Sequence, residues 1–260
     1  MKKQLAFLAF FLILTNTAFS QIDVNITDLK NNKTVQFSDI YTEYNINKEL
    51  PTLVITWSGK WCFPCIDLIK RYNNCDPAMI NLITVNVDRA NSLQEVLKKG
   101  YNLKWDNAIN FHANIGKNKR GFDNVFNVST APLVLYLENG KIQDALTMRT
   151  LYPWKLLEAG RINDVKFIWN SAYDLNSLAW SYYENENSTA KLEEAIKWIV
   201  RSIELEKFYA NIDTYAALLF KTGKYTEALK KSKEAIEKAK EDGEDYNSTT
   251  ELINKIIEKL

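Results

Sequence analysis

The sequence predicts an α/β domain with a mixed central sheet, followed by an all-α domain of helical repeats. Three apolar runs of strand length indicate the sheet: Leu53 to Trp57, Leu82 to Val87 and Leu133 to Leu137. Residues at helical spacing separate these runs, and the second half repeats a helix-pair pattern without strand signals. A chain of 260 residues is long enough for two such domains.

The first strand run is apolar at almost every position, which is typical of a central strand covered on both faces. It leads through a short loop into Trp61 to Cys65, after which apolar residues recur at helical spacing. Pro132 precedes the third run, where a proline does not interrupt the ladder. Asn139 and Gly140 follow that run and predict a hairpin turn. Strands that alternate with helices and end in a hairpin predict a mixed sheet.

Shorter elements are predicted around these strands. Two extended pieces before Leu53 are joined by a turn at Asp28 to Lys33. Helices are predicted at Leu93 to Lys99 and at Gly121 to Val128, and the stretch Leu103 to His112 is predicted to be extended.

The N-terminus has the layout of a secretory signal peptide. A short lysine-containing region precedes the apolar run Leu5 to Leu14, and Ala18 and Ser20 are small residues before a cleavage site at Gln21. The apolar run is shorter than the about 20 residues that a spanning helix needs, which favours cleavage over an uncleaved membrane anchor. We therefore expect residues 1–20 to be a signal peptide and the mature protein to be exported and periplasmic.

The composition argues against several classes of function. A net charge of +1 gives no electrostatic basis for binding nucleic acid or an anionic membrane. The single histidine, His112, excludes a His-rich metal site and argues against a Ser-His-Asp mechanism. The three cysteines are Cys62, Cys65 and Cys75, and the first two form a Cys-x-x-Cys. Cysteine chemistry is therefore the first function to consider, and no metal site is predicted.

The Cys-x-x-Cys lies at the predicted start of a helix, which suits redox chemistry. The first thiol meets unpaired backbone N–H groups and the positive end of the helix dipole, and both favour the attacking thiolate. The second thiol lies one turn further on, close enough to form a disulfide without movement of the backbone. Pro64 stiffens the turn between them.

Two other interpretations of the cysteine pair stay open. Half of a zinc site would need a second pair of ligands, for which the chain offers only Cys75 and His112. A purely structural disulfide rarely spans four residues directly after a strand, so the pattern favours redox catalysis. Cys75 is expected to be a part-buried bystander thiol, with a regulatory or intermolecular disulfide as the alternative. His112 is expected to be a strand or loop residue, and Asp88 a solvated turn residue.

The segment Trp61-Cys62-Phe63-Pro64-Cys65 resembles the active site of the thioredoxin superfamily. Val85 to Asp88 resembles the next strand of that family, and Phe126 to Lys141 resembles its cis-proline strand and closing hairpin. The long stretch between Asp88 and Gly121, together with the N-terminal hairpin, resembles the exported, TlpA/ResA-like reductases. The resemblance covers about residues 22–157, and we expect the redox domain to span residues 22–160.

The resemblance implies a thiol–disulfide oxidoreductase without a cofactor, in which Cys62 is the nucleophile and Cys65 the resolving thiol. Its substrates would be disulfide-containing proteins, an external dithiol would supply electrons, and the direction would be that of a reductase. Pro132 would be cis and lie against the disulfide. The implied substrate-binding residues are Trp61, Phe63, Pro64, Ala131 and Pro132.

One departure from the family concerns proton transfer. Thioredoxin carries a buried acid six residues before its first cysteine, and this sequence has Thr56 at that position. Proton transfer to and from Cys65 would therefore need water or another group.

The second predicted domain, residues 165–260, resembles tetratricopeptide repeats. Its small positions are Ala179 and Ala216 in the first helices and Ala195 and Ala228 in the second helices. Ala195 and Ala228 are 33 positions apart, close to the repeat of about 34 residues, and the first copy carries a few extra residues at Asn185 to Thr189. A capping helix is predicted over Ser248 to Leu260. The resemblance implies a concave face that binds a peptide or protein through aromatic anchors, namely Tyr173, Trp180, Tyr183 and Phe220.

Two alternatives concern this helical half. The aromatic rings could instead be buried, in which case the repeats only stabilise the protein. The whole chain could also be a non-catalytic adaptor that binds partner proteins through its helical repeats.

Overall fold

A computed structural model of the chain describes residues 24–115, 122–126 and 132–260. The predicted signal peptide, its cleavage site at Gln21 and the predicted site residue Ala131 lie outside these residues. The chain divides into two compact units. The first comprises the chain up to Ile69 together with Ile80–Ala145, and the second comprises Lys70–Met79 and Leu146–Leu260.

The first unit contains a seven-stranded mixed sheet. Its strands are β1 (Asn25–Asp28), β2 (Thr34–Gln36), β3 (Thr52–Trp57), β4 (Asn81–Asn86), β5 (Ala108–His112), β6 (Val134–Glu138) and β7 (Lys141–Leu146). The order across the sheet is β2-β1-β5-β4-β3-β6-β7. β3 and β5 pair in parallel with β4, whereas β1 pairs antiparallel with β5 and β6 antiparallel with β3. This confirms the predicted thioredoxin-like α/β class.

The four helices described in this unit are α1 (Ile40–Glu43), α2 (Phe63–Asn73), α3 (Leu93–Leu97) and α4 (Phe122–Phe126). The last turn of α2 belongs to the second unit. Helix α2 connects the parallel strands β3 and β4, because a parallel pair needs a crossover rather than a tight turn. Every residue of β3 is buried, in agreement with its apolar sequence.

The local turns agree with the sequence in one place and differ in another. Asn139 and Gly140 have φ angles of 52° and 75°, which confirms the tight hairpin turn between β6 and β7. The prediction that Leu103 to His112 is extended is partly wrong. Residues Asn102–Lys104 form a turn of 3-10 helix, and the strand begins only at Ala108.

One face of the sheet carries a hydrophobic core. Val54, Val85 and Phe111 from the central strands contribute to it. Phe37 adds an aromatic cluster, with its ring centroid 5.8 Å from that of Phe122 in an edge-to-face arrangement. This core holds the parallel strands whose ends carry the candidate site.

The second unit contains six helices after the sheet. They are α5 (Pro153–Glu158), α6 (Ala172–Asn185), α7 (Thr189–Leu205), α8 (Tyr209–Lys221), α9 (Tyr225–Asp242) and α10 (Asn247–Ile257). α6 contacts α7 and α8, and α8 contacts α9 and α10. The helices thus stack in successive pairs, which confirms the all-α class predicted for this half.

The predicted small positions all lie inside this stack. Ala179, Ala195, Ala216 and Ala228 are fully buried, so the helices approach closely where the sequence has alanine. No helix within the described ranges 24–115, 122–126 and 132–260 is long and apolar enough to cross a membrane.

The boundary between the units differs from the predicted one at residues 160–165, because specific contacts tie Lys70–Met79 to the helical segment. The Tyr72 hydroxyl donates to the Leu151 carbonyl at 2.7 Å, and the Asp76 amide donates to the Phe167 carbonyl at 2.9 Å. The Arg71 guanidinium forms an ion pair with the fully buried Asp174, with Nε 3.2 Å from Oδ2.

We expect Arg71→Met to lower the free energy of unfolding by about 3 kcal/mol, because it leaves the buried Asp174 carboxylate without its cation. Denaturant unfolding measures this change. Arg149→Met is the matched control, since Arg149 is exposed and takes part in no described ion pair. Equal stabilities of the two variants would contradict the role of the pair.

Candidate active site

The two cysteines of the Cys-x-x-Cys form a disulfide at the start of α2. Cys62 directly precedes the first helical residue, and its Cα lies 5.4 Å from that of Cys65. At this position it lies beside the unpaired N–H groups and the positive end of the helix. Pro64 occupies the first turn, where its missing N–H breaks no helical hydrogen bond.

Both cysteines of the disulfide are buried, and their exposure differs slightly. Cys65 is fully buried, whereas Cys62 is 4% exposed. The neighbouring Trp61 and Phe63 are 52% and 60% exposed, which is unusual for such large aromatic side chains. Of the two cysteines, only Cys62 keeps any exposed surface, and the exposed aromatic residues flank it in the sequence.

The prediction that Asp88 is a solvated turn residue is wrong. Asp88 is buried, and its carboxylate accepts three hydrogen bonds. The Ser58 hydroxyl donates to Oδ1 at 2.6 Å, the Gly59 amide donates to Oδ2 at 2.8 Å, and the Asn86 side chain donates to Oδ2 at 2.9 Å. A carboxylate satisfied in this way fixes the loop between β3 and the disulfide.

Ser58 connects the Asp88 carboxylate to the residues just before Cys62. Its hydroxyl oxygen accepts the amides of Lys60 at 3.0 Å and of Trp61 at 3.2 Å. The Lys99 ammonium donates to the Gly59 carbonyl at 2.7 Å. The backbone on the N-terminal side of Cys62 is therefore held by a connected polar network.

Gly59 is required in this loop because another side chain approaches its backbone closely. A Cβ atom at this position would lie 2.5 Å from Cγ1 of Val96, which is too close for any side chain. The loop thus packs directly on α3.

His112 holds the backbone of Asp88 through a hydrogen bond. It is buried at the end of β5, which confirms its prediction as a strand residue. Its Nδ1 accepts the Asn114 amide at 3.1 Å, so the ring proton is on Nε2, which donates to the Asp88 carbonyl at 2.9 Å. With both nitrogens occupied, the ring has a structural role.

Thr56 links β3 to the segment that follows Pro132. Its hydroxyl accepts the Leu133 amide at 2.8 Å, and its own amide donates to the Leu133 carbonyl at 2.9 Å. Thr56, at the position of the acid in thioredoxin, therefore holds the backbone of Leu133 in place by hydrogen bonds. Pro132 is half-buried, and its bond to Ala131 lies outside the described residues, so the cis assignment stays a prediction.

Cys75 takes no part in this site. It is a buried free thiol in the second unit, and burial, reinforced by the negative charge of Asp174, raises the pKa of Cys75 well above its usual value. A thiol that stays protonated is a poor nucleophile. It is more deeply buried than the sequence predicted, in agreement with a bystander. No group of three or more metal-ligating side chains occurs in the described part of the chain.

A cleft of about 550 Å³ opens beside the disulfide loop. Its lining residues come from that loop, from the segment between β4 and α3, from α3 itself and from the segment after β5: Lys60, Trp61, Val87, Asp88, Arg89, Asn91, Ser92, Glu95 and Ile115. Sequence reasoning named Trp61 and missed the others as site residues. The only feature of the sequence that could have indicated them is their position after a parallel strand, where side chains often border a binding site.

The four aromatic residues predicted to bind a partner divide into two groups. Tyr173 and Trp180 are exposed, with Tyr173 stacked on Phe208 at 4.7 Å. Tyr183 and Phe220 pack against the hydrophobic core of the helical stack. Trp180 lies 4.9 Å from Tyr183 between ring centroids, so the two groups are in contact.

No protein-family model matches the chain, and no curated protein matches it. The chain is similar to solved structures. A thioredoxin-like protein from Porphyromonas gingivalis is 24% identical, over 50% of this chain and 81% of that one, with a TM-score of 0.38. A thiol:disulfide interchange protein from Bacteroides sp. is 18% identical over 55% and 88%, with a TM-score of 0.37. StoA from Bacillus subtilis is 17% identical over 47% and 84%, with a TM-score of 0.32. Because these TM-scores are low, the fold assignment depends on the sheet topology described above.

We expect Asp88→Asn to lower the free energy of unfolding by about 2 kcal/mol, since the new amide N–H₂ faces either a donor or the Ser58 oxygen, which already accepts two bonds. Thiol–disulfide exchange should slow about tenfold, because the loop loses its fixed geometry. Denaturant unfolding and an exchange assay measure the two effects. Asp106→Asn, at an exposed position, is the control, and wild-type values for Asp88→Asn would rule out the network.

Proposed function

We propose that the protein is an exported thiol–disulfide oxidoreductase that reduces disulfides of protein substrates. The observation that carries this proposal is the Cys62–Cys65 disulfide at the start of α2, with Cys62 flanked in sequence by two exposed aromatic residues. A structural bridge needs neither the exposed aromatic side chains nor a fixed loop before its first cysteine. Both features suit a protein whose disulfide is repeatedly attacked by partner thiols and whose thiolate repeatedly attacks partner disulfides.

In the reducing direction the cycle begins with the dithiol form. The Cys62 thiolate attacks one sulfur of the substrate disulfide, a mixed disulfide forms, and the other substrate sulfur leaves as a thiolate that takes a proton from water. Cys65 then loses its proton and attacks Cys62, which releases the second substrate thiol. The substrate gains two electrons and two protons, and the protein becomes the Cys62–Cys65 disulfide. An external dithiol returns it to the dithiol form.

The proposed cycle gives different tasks to the two cysteines, and their local structure supports this division. Cys62 lies at the helix N-terminus, where N–H groups and the dipole stabilise a thiolate as attacker or leaving group. Cys65 lies inside α2 and is buried, so substrate sulfurs do not reach it. Thr56 provides no carboxyl for its proton, so water is the proton acceptor.

Substrate contacts are proposed at the rim of the disulfide. Trp61, Phe63 and Pro64 are exposed beside it. Pro132 and Ala131 would present backbone to an extended substrate, as in the family that the sequence resembles. The bonds between Thr56 and Leu133 support this role, because they hold the residue after Pro132 in place.

The compartment is proposed from the signal-peptide pattern of residues 1–20. Exported proteins commonly carry structural disulfides, so an enzyme that exchanges them has substrates there. In such a compartment a reductase needs a dedicated electron supply, which is the proposed role of the external dithiol.

We expect Cys62→Ser to abolish the reduction of insulin, because it removes the attacking sulfur. Cys65→Ser should still attack and should accumulate a mixed disulfide between Cys62 and the substrate, which mass spectrometry detects. Cys75→Ala is the control and should keep wild-type turnover, since Cys75 is outside the site. Full turnover by Cys65→Ser would show that the two roles are wrongly assigned.

We further propose that the helical unit, as a tetratricopeptide-like array, contacts protein partners through the exposed rings of Tyr173 and Trp180. Exposed aromatic rings are typical anchors at protein interfaces. The same observation favours the alternative of a non-catalytic adaptor, which would bind partners without reducing insulin. The insulin assay therefore separates the two functions.

We expect Trp180→Ala to change the free energy of unfolding by less than about 1 kcal/mol, and Tyr183→Ala to lower it by about 3 kcal/mol because Tyr183 packs on the core. Trp180→Ala should also weaken the binding of labelled insulin to the full chain, which fluorescence anisotropy measures. If Trp180→Ala binds insulin with wild-type affinity, the ring is not a substrate contact.

A further inference from the structure

The cleft beside Trp61 contains two carboxylates, and both have partners. The carboxylate of Asp88 accepts three hydrogen bonds from Ser58, Gly59 and Asn86. Glu95 forms an ion pair with Lys60 at 2.8 Å, and this interaction lowers the pKa of Glu95. The hydrogen-bonding capacity of Asp88 is thus used within the protein, and the charge of Glu95 is offset by that of Lys60.

The cleft also contains donors that are not used. Arg89 follows Asp88 and is exposed, and no carboxylate among the described residues pairs with it. The side-chain amide of the exposed Asn91 makes no hydrogen bond within the described part of the chain. A guanidinium presents several N–H groups in a planar fork, which matches a carboxylate geometrically.

The other walls of the cleft suit a peptide. Trp61 supplies an exposed ring directly beside Cys62, and Val87 and Ile115 add apolar surface. A volume of about 550 Å³ is in the usual range for ligand sites and is large enough for a few side chains.

From these features we infer that the cleft binds the acidic side chains that flank the reacting cysteine of a protein substrate, with Arg89 as the specificity-determining cation. This inference rests on the proposed function and narrows its substrate class to disulfides beside Asp or Glu. Trp61 and the apolar walls hold the peptide, and Arg89 selects its charge. No step of the redox cycle changes.

The test uses peptides that each contain one internal disulfide and differ only in the residues beside the cysteines, which are Glu, Gln or Lys. The rate of reduction by the dithiol form of the full chain is divided by the rate with dithiothreitol, which corrects for the intrinsic reactivity of each peptide. We expect the Glu peptide to be preferred over the Lys peptide about fivefold, and added salt to reduce the preference.

The variants isolate Arg89 from the overall charge. Arg89→Glu should reverse the preference, and Arg89→Gln should abolish it. Arg149→Glu changes the net charge by the same amount at an exposed position outside the cleft, and it should keep the wild-type preference. If wild-type protein reduces the Glu and Lys peptides equally, or if Arg149→Glu alters the preference as much as Arg89→Glu does, the inference is overturned.

A second measurement separates this inference from the proposed function. Fluorescently labelled peptides with Ser in place of Cys report binding by anisotropy without any redox step. Tighter binding of the Glu peptide that depends on Arg89, in a protein that does not reduce insulin, would support the cleft and overturn the enzyme. Reduction of insulin together with equal binding of the Glu and Lys peptides would support the enzyme and overturn the inference about the cleft.

Discussion

The buried carboxylate of Asp88 is the group on which the geometry of the site depends. It receives the Ser58 hydroxyl and the Gly59 amide from the loop that ends β3, and the Asn86 side chain from β4. A buried carboxylate is costly unless hydrogen bonds compensate it, so the three donors must stay close to Asp88. Strand end, loop and helix start are thereby joined at one point, and Cys62 follows three residues after Gly59.

The described polar groups around the disulfide position the backbone, and their hydrogen bonds leave none of them free to transfer a proton. The groups that hold the loop are all occupied by one another, and His112 is occupied on both nitrogens. Thr56 binds the backbone of Leu133 where the related fold has an acid. The described groups around the disulfide therefore position the loop and the start of the helix, and in the proposed cycle the protons come from solvent.

Much of the fold and the reactive pair was predictable, because both depend on local patterns. The apolar run of β3, the Asn139-Gly140 turn and the Cys-x-x-Cys each carry their signal within a few residues. Asp88 was misjudged because its burial depends on donors that precede it by about thirty positions, and a single aspartate after a strand is usually solvated. The place of Lys70–Met79 in the second unit has no local signal either, since Arg71 and its partner Asp174 are distant in sequence. The cleft could not be predicted, because its residues share no motif.

The deep burial of Cys75 has a consequence for how the correct disulfide is reached. In an unfolded chain its thiol competes with Cys65 for Cys62, since all three lie within a short segment. Its protection comes from the second unit, to which residues 146–260 contribute, including the nearby Asp174. These residues are synthesised after all three cysteines. The fidelity of pairing at the active site therefore depends on the folding of the C-terminal half, so a truncated chain that kept an intact sheet would have lost the element that removes the competing thiol.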